Sequence, residues 1–193
     1  MGGTFDPIHF GHLFIAEEAR ARCDLQTVVF FPNRQPAHRD GKSACADPET
    51  RYALTQLGIR DNPHFEISRV ELDRPGPSYA IDTVRQLQME WGARAELFFI
   101  VGADSVGDIL TWHRGAELFE LCRFVAVTRP DFSLETARRG LSLAQLQRVT
   151  FLESIGLDIA SRKIRQRVRD NLPIRYLMPD AVEQVIRERN LYQ

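Results

Sequence analysis

Thr27-Val28-Val29-Phe30-Phe31 is a run of β-branched and aromatic residues that stops at Pro32 and is followed at once by the polar Asn33. A run that is apolar at successive positions, rather than at alternate ones, suits a strand buried on both faces, and proline ends it for want of an N–H. Phe98-Phe99-Ile100-Val101 repeats the pattern and stops at Gly102, and Phe124-Val125-Ala126-Val127 repeats it before Thr128-Arg129-Pro130. Phe65-Glu66-Ile67-Ser68 and Thr150-Phe151-Leu152 read as weaker strands. Helices fit between them. Leu13 to Cys23 places Leu13, Ala16 and Ala19 on one face and charges on the other. Asp47-Pro48 reads as an N-cap with proline at the first helical position, opening a helix to about Ile59. Ser78 is placed to cap a helix that runs to Trp91-Gly92, and the C-terminal third reads as mostly helical, near Ser161–Asp170 and Pro179–Arg189. Strands alternating with helices predict an α/β chain with a parallel sheet.

Where the polar residues fall matters more than the count of elements. In open α/β sheets, ligands bind beyond the carboxyl ends of the strands. Asn33 follows one such end and Asp104 another, while the opening run Gly2-Gly3-Thr4-Phe5-Asp6-Pro7-Ile8-His9-Phe10-Gly11-His12 occupies a strand-to-helix turn. Three polar clusters are thus predicted along one edge.

Length and composition bound the class. The 193 residues suit a single domain, 1–193, and contain no repeat, linker or low-complexity tract. A formal net charge of −1 gives no general attraction to nucleic acid or an anionic membrane, so any anion must be recognised locally. No apolar run approaches the roughly 18–20 residues of a membrane span, and the first residues do not read as a signal peptide. Cys23, Cys45 and Cys122 are odd in number and widely spaced, which suggests neither a disulfide framework nor a zinc site and fits a reducing cytoplasm. Oligomeric state is not readable.

The opening run carries the chemistry. Gly2 and Gly3 permit a tight turn and close backbone approach, and a helix starting near Gly11 would aim N–H groups at an anion. His9 and His12 are one helical turn apart, with Gly11 between them leaving room for a ligand. Two imidazoles beside a helix N-terminus suit charge developing on a phosphate. The bland alternative is that one caps the helix while the other packs.

This run resembles the (H/T)xGH signature of the nucleotidylyltransferase superfamily, with His9-Phe10-Gly11-His12 as HxGH. The resemblance implies a Rossmann-like, doubly wound parallel sheet and in-line transfer of a nucleotidyl group with loss of pyrophosphate. Further segments are similar, in order, to motifs of bacterial nicotinate-nucleotide adenylyltransferases: Pro32-Asn33-Arg34-Gln35-Pro36-Ala37-His38-Arg39, Pro77-Ser78-Tyr79-Ala80-Ile81-Asp82-Thr83, Gly102-Ala103-Asp104-Ser105 with Trp112, and Ile159-Ala160-Ser161-Arg162-Lys163-Ile164-Arg165. They imply transfer of AMP from ATP to nicotinate mononucleotide, with Mg²⁺ travelling on ATP and no dedicated protein metal site. His9, His12 and Arg165 are the implied catalytic residues. Gly3, Thr4, Phe5, Ser161 and Ile164 join them in binding ATP, and Asn33, His38, Arg39, Thr83, Asp104 and Trp112 would bind the acceptor. Ser161 also fits a helix N-cap, and alternatives stay open: Trp112 as a core side chain, Asp104 as a helix cap, the C-terminal motif as a solvated basic face, and the segment from Asn33 to Ala46 as a solvated loop rather than a closing one.

Some positions depart from the family pattern. Ala160 and Arg162 stand where hydroxyl residues are usual, Ala37 replaces a proline, and Ala80 replaces a threonine. Only Met1 precedes the glycines, where the family has a short central strand, so an upstream start is expected, testable in the preceding reading frame. The competing functional readings are adenylyl transfer to nicotinamide mononucleotide or phosphopantetheine, and a nucleotide-binding module with weak or no turnover.

Overall fold

Each apolar run becomes a strand, and the stretches between them become helices. The protein is described from a computed structural model, for residues 1–36, 44–92, 94–128 and 134–193. In chain order the elements are β1 (Gly2–Gly3), α1 (Phe10–Arg22), β2 (Val28–Pro32), α2 (Pro48–Ile59), β3 (Phe65–Ile67), α3 (Ala80–Trp91), β4 (Phe98–Gly102), α4 (Gly115–Leu121), β5 (Arg123–Val127), α5 (Leu134–Arg138), α6 (Leu143–Leu146), β6 (Val149–Leu152), α7 (Ser161–Arg169) and α8 (Asp180–Glu188). Short 3-10 turns at Ala103–Ser105 and Ile109–Thr111 separate β4 from α4.

The strands form two three-stranded sheets, ordered β1-β2-β3 and β4-β5-β6. β2 runs parallel to β3 with Val28 opposite Phe65, β4 parallel to β5 with Phe98 opposite Arg123, and β5 parallel to β6 with Phe124 opposite Val149. Parallel neighbours cannot be joined by a tight turn, and helices supply each crossover: α2 between β2 and β3, α4 between β4 and β5, α5 and α6 between β5 and β6.

Two compact units are present, Met1–Gly2 with Ser78–Gly156 and Gly3–Pro77 with Leu157–Gln193. The first is built on β4-β5-β6. Phe99, Ile100 and Val101 of β4 and Phe124 to Val127 of β5 are all buried, as expected of strands covered on both faces. The second is built on β2 and β3, with Phe30 and Phe31 buried beside Leu54 and Ile59 of α2. α8 packs on α2 and buries Val182 and Ile186. Fully burying a side chain such as Phe30 or Ile81 contributes about 1.5–3 kcal/mol.

Helix starts follow local chemistry where the partner is local. Asp47 accepts from the Thr50 N–H at 2.9 Å and from its hydroxyl at 2.7 Å, ahead of Pro48 in the first turn of α2. These bonds hold the Asp47 carboxyl below its ordinary value, the Thr50 hydroxyl contributing most. Two expected caps are corrected. Tyr79, not Ser78, is the cap position of α3, and Ala160, not Ser161, is that of α7. α1 starts at Phe10, close to the expected start near Gly11 and ahead of the amphipathic stretch from Leu13, with His9 in the extended backbone of a cap (φ −153°, ψ 169°).

Candidate active site

In the unit built on β2 and β3, the opening loop turns sharply at Phe5, whose backbone is left-handed at φ 48°. Its ring is buried, lies 5.7 Å from Phe30 and meets the His12 ring edge-on at 5.1 Å. His12 in turn stacks on His9, with ring centroids 3.7 Å apart and planes 22° from parallel. The two imidazoles therefore form one slab at the head of α1. His9 is only 4% exposed, whereas His12 is half-buried. His12 Nδ1 accepts the His9 backbone N–H at 3.3 Å, so a neutral His12 ring carries its proton on Nε2. Gly11 lets the two imidazoles pack closely. A Cβ there would lie 3.0 Å from the His9 ring and 3.3 Å from the Ile159 carbonyl.

The helix offers an anion fewer backbone donors than a bare N-terminus would. Phe10 N–H is taken by the Leu177 carbonyl at 3.0 Å and His12 N–H by the His9 carbonyl at 2.9 Å. An anion placed there would rely more on imidazole and guanidinium donors.

The guanidinium comes from α7. Arg165 Nη1 donates to the Asp6 carbonyl at 2.7 Å and lies 3.6 Å from the Asp6 carboxylate. Asp6 is 3% exposed, and its carboxylate also accepts the Cys45 and Ala46 N–H groups at 2.7 and 3.1 Å. Asp6 also bears on the Tyr192 phenol, whose ionisation is pushed well above the ordinary range, first by burial and then by the neighbouring carboxylate. Ser161 lies one turn before Arg165, and its hydroxyl donates to the Pro7 carbonyl at 2.9 Å. Ser161 is the first residue of α7 rather than its cap. Ile164 is 1% exposed and its N–H goes to the Ala160 carbonyl at 3.1 Å, so its contribution is packing under the helix. His9, His12, Ser161 and Arg165 are thereby brought to the one loop that contains Thr4 and Phe5.

Asn33 joins them from the end of β2. Its N–H donates to the Gly3 carbonyl at 3.0 Å and its side-chain nitrogen to the Thr4 hydroxyl at 3.1 Å. Behind both lies Arg51 of α2, which the motifs did not flag. Its signal was periodicity: Arg51 shares the buried face of α2 with Leu54, Thr55 and Ile59. His38 and Arg39 lie outside the described residues.

The remaining expected residues lie in the unit built on β4-β5-β6. Asp104 is exposed in the 3-10 turn after β4, its carboxylate over Gly102, where a Cβ would come within 2.5 Å of it. Trp112 is half-buried and meets Phe99 edge-on at 6.1 Å, leaving part of its indole accessible. Thr83 is fully buried, and its hydroxyl reaches the Tyr79 carbonyl at 3.4 Å. A contact the motifs did not announce is the stack of Tyr79 on His113 at 4.3 Å. It draws the start of α3 to the residue next to Trp112. Among the described residues no group of three or more His, Cys, Asp or Glu could hold a metal ion. No described helix is long and apolar enough to cross a membrane.

Comparison with known proteins identifies the family. Residues 1–167 match the cytidylyltransferase-like family. A protein of Moorella thermoacetica named "Probable nicotinate-nucleotide adenylyltransferase" is 46% identical over 196 residues, spanning all of this chain and 90% of its own. One of the same name from Frankia alni is 48% identical, over all of this chain and 98% of its own. In fold the chain is similar to Plasmodium falciparum nicotinic acid mononucleotide adenylyltransferase complexed with NaAD, at a TM-score of 0.78 and 18% identity over 99% of this chain and 94% of that one. The strand-helix alternation is accordingly of the Rossmann-like α/β kind. The chain belongs to the nicotinate-nucleotide adenylyltransferase family, within the cytidylyltransferase-like nucleotidyltransferases.

Proposed function

We propose that this protein transfers the adenylyl group of MgATP to nicotinate mononucleotide. A phosphate oxygen of the acceptor attacks the α-phosphorus, the bond from that phosphorus to the β-phosphate bridging oxygen breaks, and pyrophosphate leaves as deamido-NAD forms. The acceptor phosphate is already anionic, so no general base and no covalent intermediate are needed. What the protein must supply is alignment and stabilisation of the charge that builds on the transferring group.

The observation that carries this reading is the stacked His9–His12 pair at the head of α1, with Arg165 hydrogen-bonded to the same loop. His12, its Nδ1 engaged by backbone, presents an Nε2–H donor for an α-phosphate oxygen. His9 holds that ring in plane by stacking. Arg165 would meet the departing pyrophosphate, with Ser161 fixing the loop beneath it. Mg²⁺ would arrive on the triphosphate as part of the substrate. Asn33, Asp104 and Trp112 are the acceptor residues in this reading, with the indole face of Trp112 stacking on the pyridine ring. A reducing cytoplasm is the setting we infer, which three free cysteines suit.

Pyrophosphate release with MgATP and each of nicotinate mononucleotide, nicotinamide mononucleotide and phosphopantetheine tests the assignment. Turnover is expected to be fastest with the nicotinate acceptor. Faster turnover with either of the others would reassign the substrate, and ATP binding without release for any of them would remove the enzymatic reading.

A further inference from the structure

We infer that Arg51 is a positioning residue: one buried guanidinium ties the opening phosphate loop to the end of β2 and fixes the geometry of Thr4 and Asn33 together. The inference rests on the reaction proposed above. Arg51 is 1% exposed and is the largest fully buried side chain among the described residues. Every N–H of its guanidinium has an acceptor. Nε donates to the Ala46 carbonyl at 3.2 Å; Nη1 to the Thr4 carbonyl at 2.8 Å and Asn33 Oδ1 at 3.2 Å; Nη2 to the Asn33 and Arg34 carbonyls at 2.7 and 3.3 Å. These acceptors belong to three segments well separated in the chain, at 4, 33–34 and 46.

None of those acceptors is a carboxylate. Burial weakens the guanidinium's hold on its proton, and Asp6 opposes this from nearby without bonding to it. A buried cation held only by neutral oxygens is a poor way to gain stability, because its desolvation is expensive and an apolar side chain of similar volume would pack at less cost. What a planar fork gives instead is direction, since five fixed donors place three backbone segments at once.

The direction passes to Asn33. Arg51 can only donate, so the Asn33 oxygen must face it and the Asn33 nitrogen must face away. That nitrogen donates to the Thr4 hydroxyl at 3.1 Å, so Thr4 is held twice, by its carbonyl through Arg51 and by its hydroxyl through Asn33. Thr4 belongs to the loop that would receive ATP, and Asn33 to the strand end that would receive the acceptor. In-line transfer depends on the two being set to a fraction of an ångström, and a misplacement of about 1 Å can cost on the order of 10²-fold in rate.

Arg51→Lys keeps the charge and loses the fork, and Thr4→Val removes the Asn33 acceptor while leaving the Thr4 carbonyl to Arg51. Steady-state kinetics are measured for both and for the double variant, per folded molecule as counted from thermal melts, with whichever acceptor the wild type uses. Arg51→Lys is expected to lower kcat by about 10²-fold and to change KM for MgATP and acceptor by less than about fivefold. Thr4→Val should lower kcat by about tenfold, and the double variant should be no worse than Arg51→Lys, because both break one unit. A purely structural arginine would instead lower the melting temperature and leave kcat per folded molecule near that of the wild type. That result overturns the inference, as do kcat losses that multiply. Should Arg51→Lys not fold, Thr4→Val decides alone, and wild-type kcat in it overturns the tie. A wild type inactive with every acceptor removes the reaction itself, which is a different outcome from an active wild type matched by its variants.

Discussion

At the scale of the residue, His12 illustrates how a side chain is prepared by its surroundings before any substrate arrives. One ring nitrogen is committed to the His9 N–H, one face is covered by the His9 ring, and one side meets the Phe5 edge. The Nε2–H is left with a fixed direction, which is the property that stabilises a transition state without reorganisation. Substituting His12→Ala is therefore expected to lower kcat by about 10²–10³-fold, with KM for MgATP changing much less, because the donor matters most when charge has developed. His12→Asn, which restores a donor on a shorter arm, should recover part of the loss. A raised KM for MgATP with kcat unchanged would assign His12 to ground-state binding instead.

At the scale of the element, the reliable signals were those whose cause lies within a few residues. Asp47-Pro48 announced α2 because the donor to its cap, the Thr50 N–H, is three positions on and the geometry closes locally. Asp47→Ala should cost about 1 kcal/mol and lower the melting temperature by about 2–4 °C, while Asp47→Asn should cost much less. A melting temperature unmoved by Asp47→Ala would show that α2 is held by burial alone. The strands were legible for a related reason: a parallel strand buried on both faces must be apolar at nearly every position, so Val28–Pro32, Phe98–Gly102 and Arg123–Val127 could be read from composition. Where partners are distant, local reading failed. Ser161 has the chemistry of a cap, yet its hydroxyl is taken by the Pro7 carbonyl far away in the chain. Arg51 was overlooked because its acceptors at Thr4, Asn33, Arg34 and Ala46 only meet after folding, although its place on the buried stripe of α2 was visible. The histidine loop, Asn33 and Arg165 stood out as candidates through their resemblance to family motifs. Their mutual bonds through Asp6 and Thr4 were not, since neither residue type nor spacing encodes which carbonyl an arginine will find.

At the scale of the whole molecule, ionisable groups set a pH window for stability, and its two limbs have different origins. Glu17, Asp47, Glu49 and Glu117 all sit below their ordinary values, held chiefly by Arg20, Thr50, Arg69 and Arg114 respectively. In each case the unfolded chain takes up a proton first as pH falls, so stability is complete above the unfolded values of 4.5 and 3.8 and declines as pH drops through the lower folded values. These groups are mostly exposed, so the acid limb should be shallow and further weakened by salt. The alkaline limb belongs to buried groups. Burial pushes the Cys122 thiol from 9.0 up to about 12, and the thiol donates to the Leu118 carbonyl at 3.4 Å, which requires it protonated. Above pH 9 the unfolded thiol ionises while the folded one does not; the unfolded state then binds fewer protons and stability falls as pH rises toward about 12. The Tyr192 phenol, raised by burial and by Asp6, acts with the same sign from pH 10 upward. Urea unfolding followed across this range should therefore show wild type losing stability steeply above pH 9, with little effect of salt because the groups are buried. Cys122→Ala, which has no thiol to ionise in either state, should lose less over the same interval, so that the two curves converge as pH rises. Parallel curves for the two proteins between pH 9 and about 12 would show that the Cys122 thiol ionises as readily in the folded chain as in the unfolded one, and that the alkaline limit lies elsewhere.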